Sequence, residues 1–135
     1  MRVYMDSSAL AKRSLDEPES ARLEEAIERL AQEGNALLSS ALTWIELTRT
    51  LRSRLEDEPP AEVAELVDAA LTGVLEYPID EQVVGLARRI GPSTLRSLDA
   101  IHLATATLLD VDLVCAYDKR LLQSASELGF RTISP

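Results

Sequence analysis

Residues 95–121 read LRSLDAIHLATATLLDVDLVCAYDKRL, and three patterns succeed one another within them. From Leu98 to Leu109 the residues are small or apolar on most sides, among them Leu98, Ala100, Ile101, Leu103 and Ala104. The segment is too long for a strand and is expected as a largely buried helix introduced by Ser97 as cap. Leu113 to Ala116 is a continuous apolar run of strand length. Asp118-Lys119-Arg120-Leu121 then reads as a capped helix start, with the helix stopping at Gly129. A helix, a wholly apolar strand and another helix, in that order, point to a parallel sheet covered on both faces, because parallel neighbours need crossover connections.

The pattern extends in both directions. Val3 to Met5, Ala36 to Leu38, Val74 to Tyr77 and Thr132 to Ile133 are further short strand candidates. Between them apolar residues recur at spacings of three and four: Leu23, Ile27 and Leu30; Trp44, Leu47, Leu51 and Leu55; Val63, Leu66, Val67 and Leu71. Those spacings predict amphipathic helices, and a further helix is expected over Glu81 to Ile90 with Asp80 as its cap. The fold class is α/β: a mostly parallel central sheet of four to five short strands flanked by helices in three layers. Pro18, Pro59-Pro60 and Gly91-Pro92 punctuate the chain without a linker long enough to separate independent cores, so residues 1–135 are expected to form one domain.

Composition narrows the function classes. Aromatic residues make up only 4% of the chain, which disfavours an RNA reader built on base-stacking platforms. Cys115 is alone and lies in an apolar run, so no internal disulfide forms and a buried thiol in a reducing compartment is expected. Met1 to Met5 is too short for a signal peptide and no stretch approaches the ~18 apolar residues of a membrane span; a cytoplasmic protein without membrane contact is the expectation.

The net charge of −9 would by itself repel a phosphate backbone. Its distribution weakens that objection. Seven acids fall between Asp16 and Glu33 and nine between Glu56 and Glu81, and these blocks read as solvated helix faces. Cations recur elsewhere, as Lys12 and Arg13, as Arg49, Arg52 and Arg54, as Arg88, Arg89 and Arg96, and as Lys119 and Arg120.

Among the seven acids outside the blocks, four hold positions that suit a functional site. Asp6 and Asp118 each follow a strand, the place where open α/β sheets bind ligands, and the helix that follows would aim backbone N–H groups at whatever the carboxylate holds. Each is also a plausible N-cap. Glu46 projects from the face of its helix opposite Trp44, Leu47 and Leu51, together with Arg49 and Ser53; taken alone it reads first as a solvated partner of Arg49, and only its placement against the other acids decides. Asp99 sits in the first turn of the apolar helix, where the dipole favours a negative charge, yet its small and apolar neighbours would leave it needing a partner. If the four converge, their repulsion calls for a hard divalent cation. Oxygen ligands suit Mg²⁺ or Mn²⁺, and one His with one Cys cannot supply the usual zinc sets. Such an ion activates water and polarises a phosphoryl oxygen, which points to phosphodiester hydrolysis.

The strings YMDSSALAK from Tyr4, SALTWIEL from Ser40, LRSLDAIHLATA from Leu95 and LVCAYDKRLLQSASELGF from Leu113 resemble the PIN domain, in that family's order and spacing and over nearly the whole chain. The likeness is greatest to the VapC-type toxin ribonucleases of bacterial toxin–antitoxin pairs. Carried over residue by residue, the resemblance implies that Asp6, Glu46, Asp99 and Asp118 form a catalytic acidic metal site for Mg²⁺ or Mn²⁺, with the Ser8 hydroxyl supporting the metal shell. It implies cleavage of RNA, with Arg13, Arg49 and Lys119 as backbone-holding cations, a homodimer, and an antitoxin protein that covers the cleft, often by presenting an Arg. His102 is implied to support or pack rather than catalyse. Asp110 and Asp112 precede a strand and are left outside the site. One departure stands out: Ala116 occupies a position where the family often carries Thr or Ser, and Tyr117 or a water is a conceivable substitute for that hydroxyl. A processing nuclease of the same fold without antitoxin, and an inactive PIN interaction module presenting its acidic blocks to a protein, are the competing alternatives.

Overall fold

A computed structural model describes residues 1–135. Five strands, β1 (Arg2–Met5), β2 (Ala36–Ser40), β3 (Val74–Tyr77), β4 (Leu113–Cys115) and β5 (Arg131–Ile133), form one sheet in the order β3-β2-β1-β4-β5 with every pairing parallel. Seven helices connect them: α1 (Ser7–Leu10), which runs into a 3₁₀ turn over Ala11–Arg13, then α2 (Ser20–Gln32), α3 (Ala41–Arg54), α4 (Pro60–Leu71), α5 (Glu81–Ala87), α6 (Ser97–Leu108) and α7 (Lys119–Glu127). The three-layer α/β expectation holds.

Strand alternation explains the layers. Val3, Met5, Leu37, Leu113 and Cys115 face one way and pack with residues of α1 to α4, such as Leu10, Leu23, Leu47, Leu51 and Val67. Tyr4, Leu38, Val114 and Ala116 face the other way, onto Leu103 and Ala106 of α6 and Leu121 and Ala125 of α7. Each central strand is therefore apolar on both sides, which is why it reads as an unbroken run. Asp6, one step beyond Met5, emerges on the α6 side of the sheet.

Strands β1, β4 and β5 each differ from expectation by one residue at one end, and three further boundaries depart from it. Strand β2 continues through Ser39 and Ser40, whose buried hydroxyls both find partners: Ser39 donates to the Met5 carbonyl of β1 at 2.6 Å, and Ser40 caps α3 by accepting from the Leu42 N–H at 3.1 Å. Helix α5 ends at Ala87 rather than Ile90. Helix α6 takes Arg96, not Ser97, as its N-cap, with no side-chain capping bond. Asp80 caps α5 as expected, accepting from the Val83 N–H at 2.9 Å.

The sequence leaves β1 on one side toward β2 and β3, and β4 pairs on the other side of β1. The carboxyl ends of β1 and β4 thus flank the point where the winding direction changes, the place in such sheets where a crevice opens. No helix is long and apolar enough to cross a membrane.

Candidate metal centre

Asp6 and Asp118 stand side by side because their strands pair: the Asp6 N–H donates to the Cys115 carbonyl at 3.0 Å. Asp6 is 4% exposed and caps α1. Its Oδ2 accepts from the Ser8 hydroxyl at 2.6 Å and the Ser8 N–H at 3.1 Å. The same hydroxyl oxygen accepts from the Tyr117 N–H at 2.9 Å and the Asp118 N–H at 3.2 Å. One donor and two acceptor positions are the whole capacity of a serine hydroxyl. Ser8 thereby stitches the two strand ends together. Asp118 caps α7 through Oδ1, which accepts from the Arg120 and Leu121 N–H groups at 2.9 and 3.2 Å. Capping and site membership are thus compatible at both positions.

Glu46 reaches the same crevice from α3 and His102 reaches it from α6. Glu46 Oε1 lies 2.5 Å from His102 Nε2 and accepts from the Ser7 hydroxyl at 3.4 Å. Asp6 Oδ1 is 3.6 Å from the same nitrogen. Asp99, one helical turn before His102, lines the cleft and has no protein hydrogen-bond donor on its carboxylate, although its charge is felt by His102 and it feels that of Asp118. The structure gathers Asp6, Glu46, Asp99 and Asp118 around one cleft of about 310 Å³, together with Ser8 and His102.

His102 is 2% exposed and is the central residue that sequence reasoning placed at the margin. The signal was its spacing of three from Asp99, which puts both on one face of a helix.

The remaining candidates lie elsewhere. Arg13 is bound to Glu24 at 3.0 Å and to the carbonyls of Ala70 and Thr72 at 2.8 and 3.1 Å, fastening the first helical turns to α4. Arg49 lines a separate surface depression with Arg52, Ser53 and Glu56, and it makes no ion pair with Glu46. Lys119 is exposed beside Asp118 and does not line the cleft. The cations that do line it are Lys12 and Arg54. Glu46, Thr50 and Arg54 share the cleft at spacings of four, so the face of α3 that carries Glu46 is rotated from the expected one containing Arg49 and Ser53. Lys12 is held by Glu17 and Glu19 at 2.8 and 3.0 Å and lies 4.6 Å over the Tyr117 ring, while Arg54 is 3.7 Å from Glu17. Ala116 is fully buried in the α6–α7 layer, and the Tyr117 hydroxyl donates to the Pro135 carbonyl at 2.8 Å, so that hydroxyl does not stand in for one at position 116.

Electrostatics mark the cleft as crowded with negative charge. Burial pushes the Asp6 carboxyl above its ordinary value and Glu46 adds to this, against the opposing pull of His102 and Ser8. Asp99 is raised by burial, then by Asp118 and Asp6, with His102 and Arg120 opposing. Burial alone would lower His102, but the hydrogen bond to Glu46 and the charges of Asp6, Glu46 and Asp99 outweigh it and raise the imidazole.

Three carboxylates each engage protein donors through one oxygen, Asp6 through Oδ2, Glu46 through Oε1 and Asp118 through Oδ1, so each is oriented while the other oxygen is left for a ligand. Ligand atoms of Asp6, Glu46 and His102 all lie within 4.8 Å of one another. Oriented oxygens, mutual repulsion and an open cleft fit a hard divalent cation.

The PIN domain family profile matches residues 3–127 of the chain. Ribonuclease VapC47 of Mycobacterium tuberculosis (strain CDC 1551 / Oshkosh) is 41% identical over 98% of this chain and 96% of its own length. Ribonuclease VapC46 of Mycobacterium tuberculosis (strain ATCC 25618 / H37Rv) is 39% identical over 98% of this chain and 97% of its own. Among solved structures, Mycobacterium tuberculosis VapC20, described as a sarcin-ricin loop cleaving toxin, superposes with a TM-score of 0.71 at 16% identity over 98% of this chain and 99% of that one. VapBC2 from Rickettsia felis, solved bound to a DNA fragment from its promoter, gives 0.72 at 11% identity over 98% of each chain.

Proposed function

Because the chain belongs to the PIN domain family, we propose that it is a divalent-metal-dependent endoribonuclease and the toxin of a toxin–antitoxin pair. The observation that carries the proposal is the gathering of Asp6, Glu46, Asp99 and Asp118 around one cleft at the change of winding direction. Curated relatives named ribonuclease VapC, 39 to 41% identical over nearly the whole chain, support the substrate class and the toxin role.

The arrangement of the cleft supports the following roles. Asp6, Asp99, Asp118 and the free oxygen of Glu46 would hold Mg²⁺ or Mn²⁺. When bound, the ion supplies Lewis-acid polarisation of the phosphodiester and activation of water for in-line displacement. Ser8 keeps Asp6 and the Asp118 turn at fixed separation, so the carboxylates need not reorganise when the substrate arrives. His102 holds Glu46 by its other oxygen. Lys12 and Arg54, which line the cleft, would meet phosphates flanking it, in competition with Glu17 and Glu19 for Lys12 and with Glu17 for Arg54. The cleft lining contains no Phe, Tyr or Trp and its one ring, His102, is buried, which fits recognition through backbone and shape rather than through stacked bases.

The partners belong to the same proposal: an antitoxin protein that covers the acidic cleft, and a second copy of this chain. Co-expression with the product of the adjacent reading frame, followed by light scattering of the purified species, tests both.

The decisive assay is cleavage of single-stranded RNA in Mg²⁺ or Mn²⁺ by wild type, Asp6→Asn and Asp99→Asn, with EDTA as control. Wild type should cut and both variants should fall by about a hundredfold or more, the range for loss of a group acting in the transition state. Equal cleavage by all three would discredit the site.

A further inference from the structure

Tyr4 lies in the middle of β1 and is 1% exposed, yet its ring ends in a polar group inside the core. It stands edge-on to the His102 ring, with centroids 5.8 Å apart and planes at 77°, and its hydroxyl oxygen is 2.6 Å from His102 Nδ1. That oxygen also accepts the Ser40 N–H at 3.3 Å. A phenol carries a single hydrogen. With Ser40 arriving as a donor, the phenolic hydrogen is directed at Nδ1, and a neutral imidazole that accepts at Nδ1 carries its own hydrogen on Nε2. A charged ring would carry one there as well. In both forms Nε2 presents an N–H to Glu46 Oε1 at 2.5 Å, with Asp6 Oδ1 at 3.6 Å.

We propose that Tyr4 is a positioning residue that fixes His102 as an Nε2–H donor, so that the imidazole clamps Glu46 and stays out of the metal shell. Distances alone allow the opposite, since Asp6, Glu46 and His102 are close enough to share an ion through Nε2. A nitrogen that carries a hydrogen has no lone pair to offer. The shell is left to carboxylate oxygens, which favours hard ions over those that prefer imidazole. The buried Tyr4–His102–Glu46 chain extends the support of the site from the strand floor to α3, two elements that no single local segment connects.

The inference rests on the proposed metal site, and its test separates the two. The chain has one histidine, so the ring nitrogens of the metal-free protein are assigned without ambiguity in a long-range ¹H–¹⁵N correlation spectrum. An Nε2 that carries hydrogen is expected; an unprotonated Nε2 overturns the proposal whatever the nuclease does. Mn²⁺ added to the wild type should show no ¹⁴N coupling in its electron spin-echo spectrum, whereas coupling to an imidazole nitrogen would overturn the clamp and leave the metal site standing. Tyr4→Phe keeps the buried ring and removes only the hydroxyl. It should weaken Mn²⁺ binding about tenfold, read from the free-ion EPR signal, with unchanged far-UV circular dichroism. Wild-type affinity in a folded Tyr4→Phe would reject the positioning role, and failure of the wild type to bind Mn²⁺ or cut RNA would sink the nuclease proposal while the nitrogen spectrum still decided the tautomer.

Discussion

Aspartates stand at both ends of the β1–β4 pair, and their surroundings differ in kind. At the amino end Asp112 accepts the Arg2 N–H at 2.7 Å, its own N–H donates to the Arg2 carbonyl at 2.8 Å, and the Arg2 guanidinium reaches the Leu109 carbonyl at 2.8 Å. That acid fastens the start of one strand to the start of its neighbour. At the carboxyl end Asp6, Asp99 and Asp118 face one another and Glu46; the nearby Lys12 and Arg54 are bound to Glu17 and Glu19, and the one basic group within 4 Å of the cluster's carboxylates is His102. The same residue type therefore stabilises at one end and stores repulsion at the other, where a cation would be accommodated.

Removing charge at the two ends should consequently act in opposite directions. Asp99→Asn is expected to lower RNA cleavage by about a hundredfold or more. In EDTA it should nonetheless melt at or above the wild-type temperature, since Asp99 has no protein donor to lose and its burial and its like-charged neighbours disfavour the ionised form. Asp112→Asn should leave cleavage within about twofold and lower the melting temperature, consistent with about 0.5–1.5 kcal/mol for a weakened charge-assisted hydrogen bond. Thermal melts in EDTA beside initial cleavage rates test both, and matching signs of the two melting shifts would break the contrast.

Divalent ions and protons should compete for the carboxyl end only. Asp6, Asp99 and His102 all have raised values in the folded protein. A raised group contributes stability that is complete below its unfolded value and is lost as pH rises through the folded one. For the two aspartates that loss begins above the ordinary carboxylate range, and for His102 above the ordinary imidazole value. The metal-free fold should thus lose this contribution from mildly acidic to mildly alkaline pH, and Mn²⁺ should restore it. The stabilisation by Mn²⁺, about 2.7 kcal/mol at a hundredfold excess over its dissociation constant, should be larger at pH 8 than at pH 5.5 and much reduced in Asp99→Asn. Differential scanning calorimetry at the two pH values checks this; a shift independent of pH would mean that the ion binds away from these groups.

The framework of this site was legible because it is made of local patterns. Strands buried on both faces read as unbroken apolar runs, and Asp6 and Asp118 announce themselves by following them. Asp99 stood out as a charge inside an apolar helix. What stayed hidden depends on partners remote in sequence. Arg13 is fixed by carbonyls of Ala70 and Thr72, and no window around Arg13 reveals that it is occupied. Whether Arg49 or Arg54 turned to the cleft depended on the rotation of α3 about its axis, which the apolar stripe set only to within about one residue position. His102 was visible by spacing, but its partner Tyr4 is 98 residues away and sat in a run that read simply as a core strand. Ser39 and Ser40 were missed as strand because their hydroxyls are satisfied by a neighbouring strand and a helix start.

A smaller effect sharpens the comparison within the carboxyl end itself, between Ser8 and Ala116. The resemblance to related chains suggests that a hydroxyl at position 116 would support the metal shell. Here the Ala116 side chain belongs to the apolar layer with Leu103, Val114 and Leu121, and the turn that follows it is already held by the Ser8 hydroxyl through the Tyr117 and Asp118 N–H groups. Ser8→Ala leaves those two N–H groups and one bond of Asp6 without a partner, so Mn²⁺ affinity should fall roughly ten- to a hundredfold. Ala116→Ser adds a hydroxyl to a layer that offers it no evident acceptor, at a cost of about 1 kcal/mol or more in stability, and should change Mn²⁺ affinity by less than about threefold. Isothermal titration of both variants with Mn²⁺ decides the matter: a tenfold gain in Ala116→Ser with little change in Ser8→Ala would mean that the stitch between β1 and β4 runs through position 116 and not through Ser8.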